Sequence, residues 1–221
     1  MRVTKYIHSC LTVEDGGEKV LFDPGTFSFI EGRVRPETFA DVANVVVTHD
    51  HPDHLDVGAL KQILELSGAG VVANGEVAAK LGEEGIAATA IEEGELAVGA
   101  FTLRATPAAH EAILSDTTPR NTAFLVNGRL LNPGDSFREP LLAFAGVEAL
   151  VLLLPVTAPF LTEIGAFEFA KRMRPAAVLP VHDGFAKEFF LRQRYETYRT
   201  FFEREGIRFH GLAEPGASVV L

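Results

Sequence analysis

The chain has 221 residues, 47% of them hydrophobic, with no biased segment. That is enough to bury a full core, and it predicts one globular domain spanning 1–221. Twenty basic residues against 30 acidic ones give a formal net charge of −10, which repels a phosphate backbone and excludes general nucleic-acid binding.

The single cysteine, Cys10, allows no intrachain disulfide. No signal-like apolar core follows Arg2 and Lys5, and the longest apolar run, Ala149 to Leu161, is short and contains Pro155 and Pro159. The reading is a cytoplasmic protein that stays off membranes and acts on a small molecule, with homo-oligomerisation compatible.

From the N-terminus, short β-type runs alternate with turns: Tyr6 to Val13, Lys19 to Asp23, Val42 to Thr48 and Val71 to Ala73. Between Leu55 and Ser67 the period changes. Leu60, Ile63, Leu64 and Ser67 fall on one helical face, and Gly68 stands where a helix stops. A second short helix fits Glu76 to Leu81, with Asn74 or Gly75 near its cap.

Strands return at Ile86 to Ala90, Ala100 to Thr106 and Thr122 to Val126, and Asn127-Gly128 turns the last into Arg129 to Asn132. Ser136 and Glu139 have capping-box spacing, which predicts a short helix to Ala145. Ala149 to Pro155 reads as a strand covered on both faces. Then come a helix over Glu163 to Met173, a strand over Ala177 to Val181, a helix from about Ala186 to Glu205 and two closing strands within Ile207 to Leu221. Two sheets with helices outside, in one core, satisfy this α/β order.

His49, His51, Asp53 and His54 crowd the loop between the apolar strand and the first helix. Imidazole nitrogens and a carboxylate oxygen suit zinc and similar divalent ions, and a spacing of two puts His49 and His51 on one side of an extended segment. Asp53 and His54 lie beyond Pro52, where the chain bends, and can face a second ion about 3.5–4 Å from the first. A lone histidine in a loop carries little information, but four ligand types within six residues carry much more. His110 and His182 occur at strand ends, and Asp135 lies in a similar loop.

These residues resemble the metallo-β-lactamase superfamily. Its H-x-H-x-D-H pattern is complete as His49-Asp50-His51-Pro52-Asp53-His54, between a strand and a helix. A later His110, then Asp135 in Asn132-Pro133-Gly134-Asp135, then His182, follow in the family's order, and Asp23 in Leu21-Phe22-Asp23-Pro24-Gly25 matches its early motif. The resemblance implies a four-layer αββα sandwich and a metal-dependent hydrolase. It implies one ion on His49, His51 and His110, a second on Asp53, His54 and His182, and Asp135 bridging them. Zinc is the first expectation, with manganese or iron as alternatives. A hydroxide between the ions would be the nucleophile, oriented by Asp53. By the same resemblance Asp23 fixes the tautomer of a ligand histidine; as a plain sequence feature it serves equally as a turn residue before Pro24.

Leu154-Pro155-Val156, Thr162, Arg174-Pro175 and Val178-Leu179-Pro180-Val181-His182, with His8-Ser9-Cys10 and Glu214-Pro215-Gly216, resemble the lactonase and phosphodiesterase-like branch that includes ascorbate-6-phosphate lactonase. Pro155-Val156-Thr157-Ala158 departs from the Gly-rich loop usual there, so the branch carries over without its substrate: the expectation is a small ester, lactone or phosphodiester. The rivals are a mononuclear iron, persulfide dioxygenase-like oxidoreductase and a nuclease, the latter disfavoured by charge. His8, placed in the first strand, and His210 read as structural histidines, and Cys10 as buried and inert. Thr26, Arg120 and Asn121 neighbour the metal-bearing segments and read as ordinary loop chemistry.

Overall fold

The β-branched and leucine-rich runs pair into two seven-stranded mixed sheets in the computed structural model, which describes residues 1–221. The first sheet contains β1 (Arg2–Lys5), β2 (Leu11–Asp15), β3 (Glu18–Phe22), β4 (Asn44–Val47), β5 (Gly70–Ala73), β6 (Thr89–Ala90) and β14 (Ala217–Val220), in the order β14-β1-β2-β3-β4-β5-β6. The second contains β7 (Gly94–Val98), β8 (Phe101–Pro107), β9 (Thr122–Val126), β10 (Leu130–Asn132), β11 (Val151–Pro155), β12 (Ala177–Val181) and β13 (Arg208–Phe209), in the order β13-β12-β11-β10-β9-β8-β7.

Alternation along the strands sorts the apolar side chains into three layers of core. Val20, Phe22 and Val46 of the first sheet meet Leu103, Phe124, Leu153 and Leu179 of the second. On the outer face of the first sheet, Val45, Val47 and Val71 pack on Leu60 and Ile63 of α2 (Val57–Ser67) and Val77 and Leu81 of α3 (Gly75–Glu83). On the outer face of the second, Leu152, Leu154 and Val178 pack on Phe169 and Met173 of α4 (Glu163–Met173) and Tyr198 and Phe202 of α5 (Glu188–Arg204). The helices thus cover both sheets and give the expected αββα sandwich. A short helix, α1 (Thr26–Phe29), follows β3. No helix is long and apolar enough to cross a membrane.

Local chemistry sets many element ends. Asp56 and Asn74 cap α2 and α3 by accepting from the backbone N–H of Ala59 and Val77, and Gly68 closes α2 at φ 67°. Asn127 and Gly128 both take positive φ, as a two-residue hairpin turn demands.

Three expectations need correction, and one strand is added. Tyr6 to Val13 is not one strand: Tyr6 to Cys10 is the turn between β1 and β2, with His8 in the left-handed region at φ 64°. Of Ile86 to Ala90 only Thr89–Ala90 pairs, as an exposed edge. The Gly94–Val98 edge strand has little apolar pattern and went unread. Ser136 does not cap a helix by a capping box; its Oγ accepts from Arg138 N–H, and a 3₁₀ helix runs from Glu139 to Phe144.

Candidate metal centre

Strand direction decides where the chemistry collects. β1, β3 and β4 run the same way in the first sheet, as do β8, β10, β11 and β12 in the second. His8, Asp23 and His49 follow the C-terminal ends of β1, β3 and β4, and His110, Asp135 and His182 follow those of β8, β10 and β12. The two sets meet at one end of the inter-sheet seam. Thr48 O accepts there from Thr122 N–H of the second sheet and from the Asn74 side chain.

All seven residues singled out as ligands come together, in two groups. His49, His51, His110 and Asp135 form one; Asp53, His54 and His182, joined by His8, form the other, and the potential ligand atoms within each group lie within 4.8 Å of one another. Asp135 sits between them: Oδ2 is 3.5 Å from His110 Nε2, 3.8 Å from His49 Nε2 and 2.9 Å from His182 Nε2, while Oδ1 is 3.4 Å from His54 Nε2.

The outward nitrogens are spoken for. His54 Nδ1–H donates to Asp23 Oδ2 at 3.1 Å, His49 Nδ1–H to Thr48 Oγ1 at 3.0 Å, His110 Nδ1–H to Glu111 O at 2.6 Å and His182 Nδ1–H to Thr157 O at 2.5 Å. Each neutral ring therefore turns the Nε2 lone pair inward. Those four Nε2 atoms and Asp135 Oδ1 are buried without a hydrogen-bond partner. Lone pairs facing a carboxylate across a buried space are repulsive unless a cation lies between them.

Charge points the same way. None of Asp23, Asp53 and Asp135 pairs with a lysine or arginine. Burial opposes ionisation of Asp135, yet His182 and His54 hold its carboxyl well below the usual range. Burial would likewise drive protons off His54 and His182, but Asp135 outweighs it and raises both. The carboxylate thus draws positive charge to the Nε2 side of both rings, the place that divalent cations would take, and the donor set fits them. Burial lowers His49, with His54 adding to the effect, and burial with His110 lowers His51.

Asp23 is fully buried and accepts from Thr48 N–H and Oγ1–H as well as from His54. Thr26 N–H and Oγ1–H both donate to Pro52 O, and Gly25 packs so closely under the next residue that a Cβ there would lie 1.7 Å from Asp53 O. Asn121 joins two loops: its Nδ2–H donates to Ala108 O and Pro133 O, and its Oδ1 accepts from Asp135 N–H. Thr26 and Asn121 therefore brace the site, whereas Arg120 is exposed and paired with Glu92 at 3.0 Å. His210 lies outside the cluster. Burial raises the Cys10 thiol to about 12, which keeps it inert.

His8 is the main residue that sequence reasoning misplaced. Gly184 N–H donates to its Nδ1 at 3.0 Å, so its proton sits on Nε2, 3.1 Å from Asp53 Oδ2. Burial, then His182, lowers it to about 4 and keeps the ring neutral. Lys5, Asp183 and Tyr195 were also unread. The buried Lys5 ammonium donates to both Asp183 oxygens, at 2.9 and 3.1 Å, and Tyr195 O–H donates to the same carboxylate. This pins the residue next to His182. His8, Asp23 and His182 all have positive φ, at 64°, 45° and 61°, conformations that non-glycine residues hold only against strain.

The chain is similar to several known proteins. A family model for the β-lactamase superfamily domain matches residues 2–182. Protein Rv0786c of Mycobacterium tuberculosis is 34% identical over 192 residues, covering 82% of this chain and 84% of its own. A UPF0173 metal-dependent hydrolase of Pyrococcus abyssi is 28% identical over 192 residues, covering 79% and 81%. Igni18, a metallo hydrolase of Ignicoccus hospitalis, superposes with a TM-score of 0.72 at 20% identity, over 99% of this chain and 97% of its own.

Proposed function

The chain belongs to the β-lactamase superfamily domain family and is a metal-dependent hydrolase of the metallo-β-lactamase type; on that premise we propose that it hydrolyses a small ester, lactone or phosphodiester with two divalent ions, zinc first among them. The observation that carries the two-ion reading is the set of four inward, unpartnered Nε2 atoms around Asp135. His49, His51 and His110 would hold one ion, Asp53, His54 and His182 the other, and Asp135 would touch both. Residues 1–221 act as one hydrolase domain in this reading, since β14 and β13 complete the two sheets that carry the ligands.

When bound, such ions lower the pKa of a shared water toward neutrality and polarise the attacked oxygen. The protein's own part is positioning. Asp53 is the least enclosed of the two inner carboxylates, with 24% of its side chain exposed. Burial opposes its charge, but the His8 hydrogen bond and neighbouring imidazoles keep it ionised, so Asp53 can accept a hydrogen bond from the attacking water and orient it. His8 fixes the angle of that carboxylate, and Asp23, Thr48, Glu111 and Thr157 fix the ring planes.

Metal analysis of protein purified without added metal, run beside hydrolysis of lactones, phosphodiesters and acyl esters, tests the reading. Two ions per chain and turnover lost in His51→Ala and Asp135→Ala support it. One iron per chain with oxygen uptake on persulfides would replace it.

A further inference from the structure

A groove of about 690 Å³ opens beside the candidate metal centre, between the segment after β11 and the start of α5. Its walls are Thr157 to Glu163 on one side and Phe185 to Arg194 on the other. Phe185, Phe189 and Phe190 are 49%, 71% and 37% exposed. Three such phenylalanines on one short segment leave apolar surface in water, the usual mark of a binding surface.

The groove is continuous with the chemistry. Thr157, in its wall, accepts the His182 Nδ1–H. The Phe185 ring lies 5.8 Å from that of His182 and 5.6 Å from that of His8. Phe160, between groove residues Pro159 and Leu161, has its ring 5.6 Å from His110 and 5.8 Å from His182. A ligand reacting over the histidines therefore meets aromatic faces on leaving them.

Charge argues against a phosphate in this position. Arg194 is held by Glu163 at 3.6 Å and lies over the Phe190 ring, leaving Lys187 as the groove's one cation without a carboxylate partner. Cations near the ligand-bearing loops are also engaged: Lys80 of α3 by Asp50, Arg120 by Glu92 at 3.0 Å and Arg138 by Glu111 at 3.1 Å.

We propose that this groove is an acyl subsite, and that the substrate is an ester, thioester or lactone whose acyl part is a medium-length apolar chain lying across Phe185, Phe189 and Phe190. This rests on the hydrolase reading of the same site and narrows its substrate class. Water adds its oxygen to the acyl carbon, and the bond from that carbon to the alcohol or thiol is broken. One water proton ends on the departing oxygen or sulfur, and the other leaves as the acid ionises. The product in the groove is a chain carboxylate.

That product gives a test independent of turnover. Acetate, butanoate, hexanoate and decanoate are titrated into the metal-loaded protein by calorimetry. Affinity is expected to rise about twofold per methylene, half the roughly fourfold of complete burial, because the groove is open on one side. Phe189→Ala and Phe190→Ala together should flatten that series without changing acetate affinity or metal content. A flat series in the unaltered protein, or a slope that survives both substitutions, would overturn the acyl subsite. So would a concentration-dependent dimer, seen by sedimentation, that the same substitutions abolish, since the groove would then be a subunit interface.

In a parallel chain-length series of 4-nitrophenyl esters and γ-lactones, kcat/KM should rise with the chain. Decanoate binding with the expected slope, but no acyl substrate hydrolysed, would overturn the acyl substrate assignment, leaving a groove that binds apolar chains; the hydrolase reading would fall only if the phosphodiesters of the broader panel were left intact as well.

Discussion

At the bottom of the site, His49, His54, His110 and His182 each commit one ring nitrogen to a fixed acceptor, and Asp23, Asn121 and Lys5 hold the loops beneath them. Beside them, Phe185, Phe189 and Phe190 face largely into water, and no side-chain hydrogen bond anchors Phe185 to Lys187. The floor is over-determined and the rim is not. A rigid floor serves a reaction that tolerates little error in geometry, whereas an exposed rim serves the choice of what reaches it. Substitutions should therefore separate the two regions by size of effect and by the property that changes.

The largest effect is expected at the centre of the floor. Asp135→Asn keeps the shape and removes the charge that faces four histidines, and should lower kcat/KM by about 10⁴-fold, about 5 kcal/mol, with metal content falling in parallel. Retained turnover with both ions bound would show that Asp135 is not the shared carboxylate. Next, Lys5→Ala leaves the buried Asp183 carboxylate without its cation, with the Tyr195 O–H as its remaining side-chain donor. It should cost about 3–5 kcal/mol of stability, read by urea unfolding, although Lys5 touches none of the proposed ligands.

Chelation comes third. Removing ions present at about 100–1,000 times their dissociation constant should remove about 3–4 kcal/mol of stability and lower Tm by about 5–15 °C, reversed by adding metal back.

These three effects follow from residues of unequal visibility in the sequence. The His49–His54 hexapeptide was legible because its ligands are contiguous, and a contiguous set needs no fold to bring it together. His110, Asp135 and His182 were legible as a resemblance in chain order, not as a geometry. His8 was not legible. Tyr6 to Val13 has a strand-like composition, and only the left-handed turn, which no L-residue there advertises, carries the ring into the site. Asn121, Thr157 and Lys5 act through loops distant in sequence, so their roles exist only once β8, β10, β12 and α5 are assembled. The sandwich was readable from its apolar strands and amphipathic helices, whereas β7 and β6, exposed edges with little apolar alternation, were missed or overdrawn.

Acid separates the regions by a smaller margin. His8 has a folded pKa of about 4, below its unfolded value, so between about pH 6.5 and pH 4 the unfolded chain binds a proton that the folded chain refuses. Its contribution to stability therefore falls as pH drops through that window, by an amount on the order of 3 kcal/mol. In metal-free protein, unfolding free energy against pH should be correspondingly flatter in His8→Gln, which offers an amide donor toward Asp53 but does not titrate. Parallel profiles for the two proteins would contradict the neutral Nε2–H tautomer.

The smallest effect belongs to the rim. Phe189→Ser should change stability by no more than about 0.5 kcal/mol and leave metal content unaltered. A larger loss would mean that the rim is part of the floor after all.

His8, Asp23 and His182 sit in backbone conformations that cost each of them about 1–2 kcal/mol relative to an ordinary turn. A population of variants selected for heat resistance alone would gain by relaxing those turns, and one selected for turnover would be penalised for it. At these three positions the two kinds of selection pull apart, so thermal improvement of this enzyme is best sought elsewhere in the sandwich.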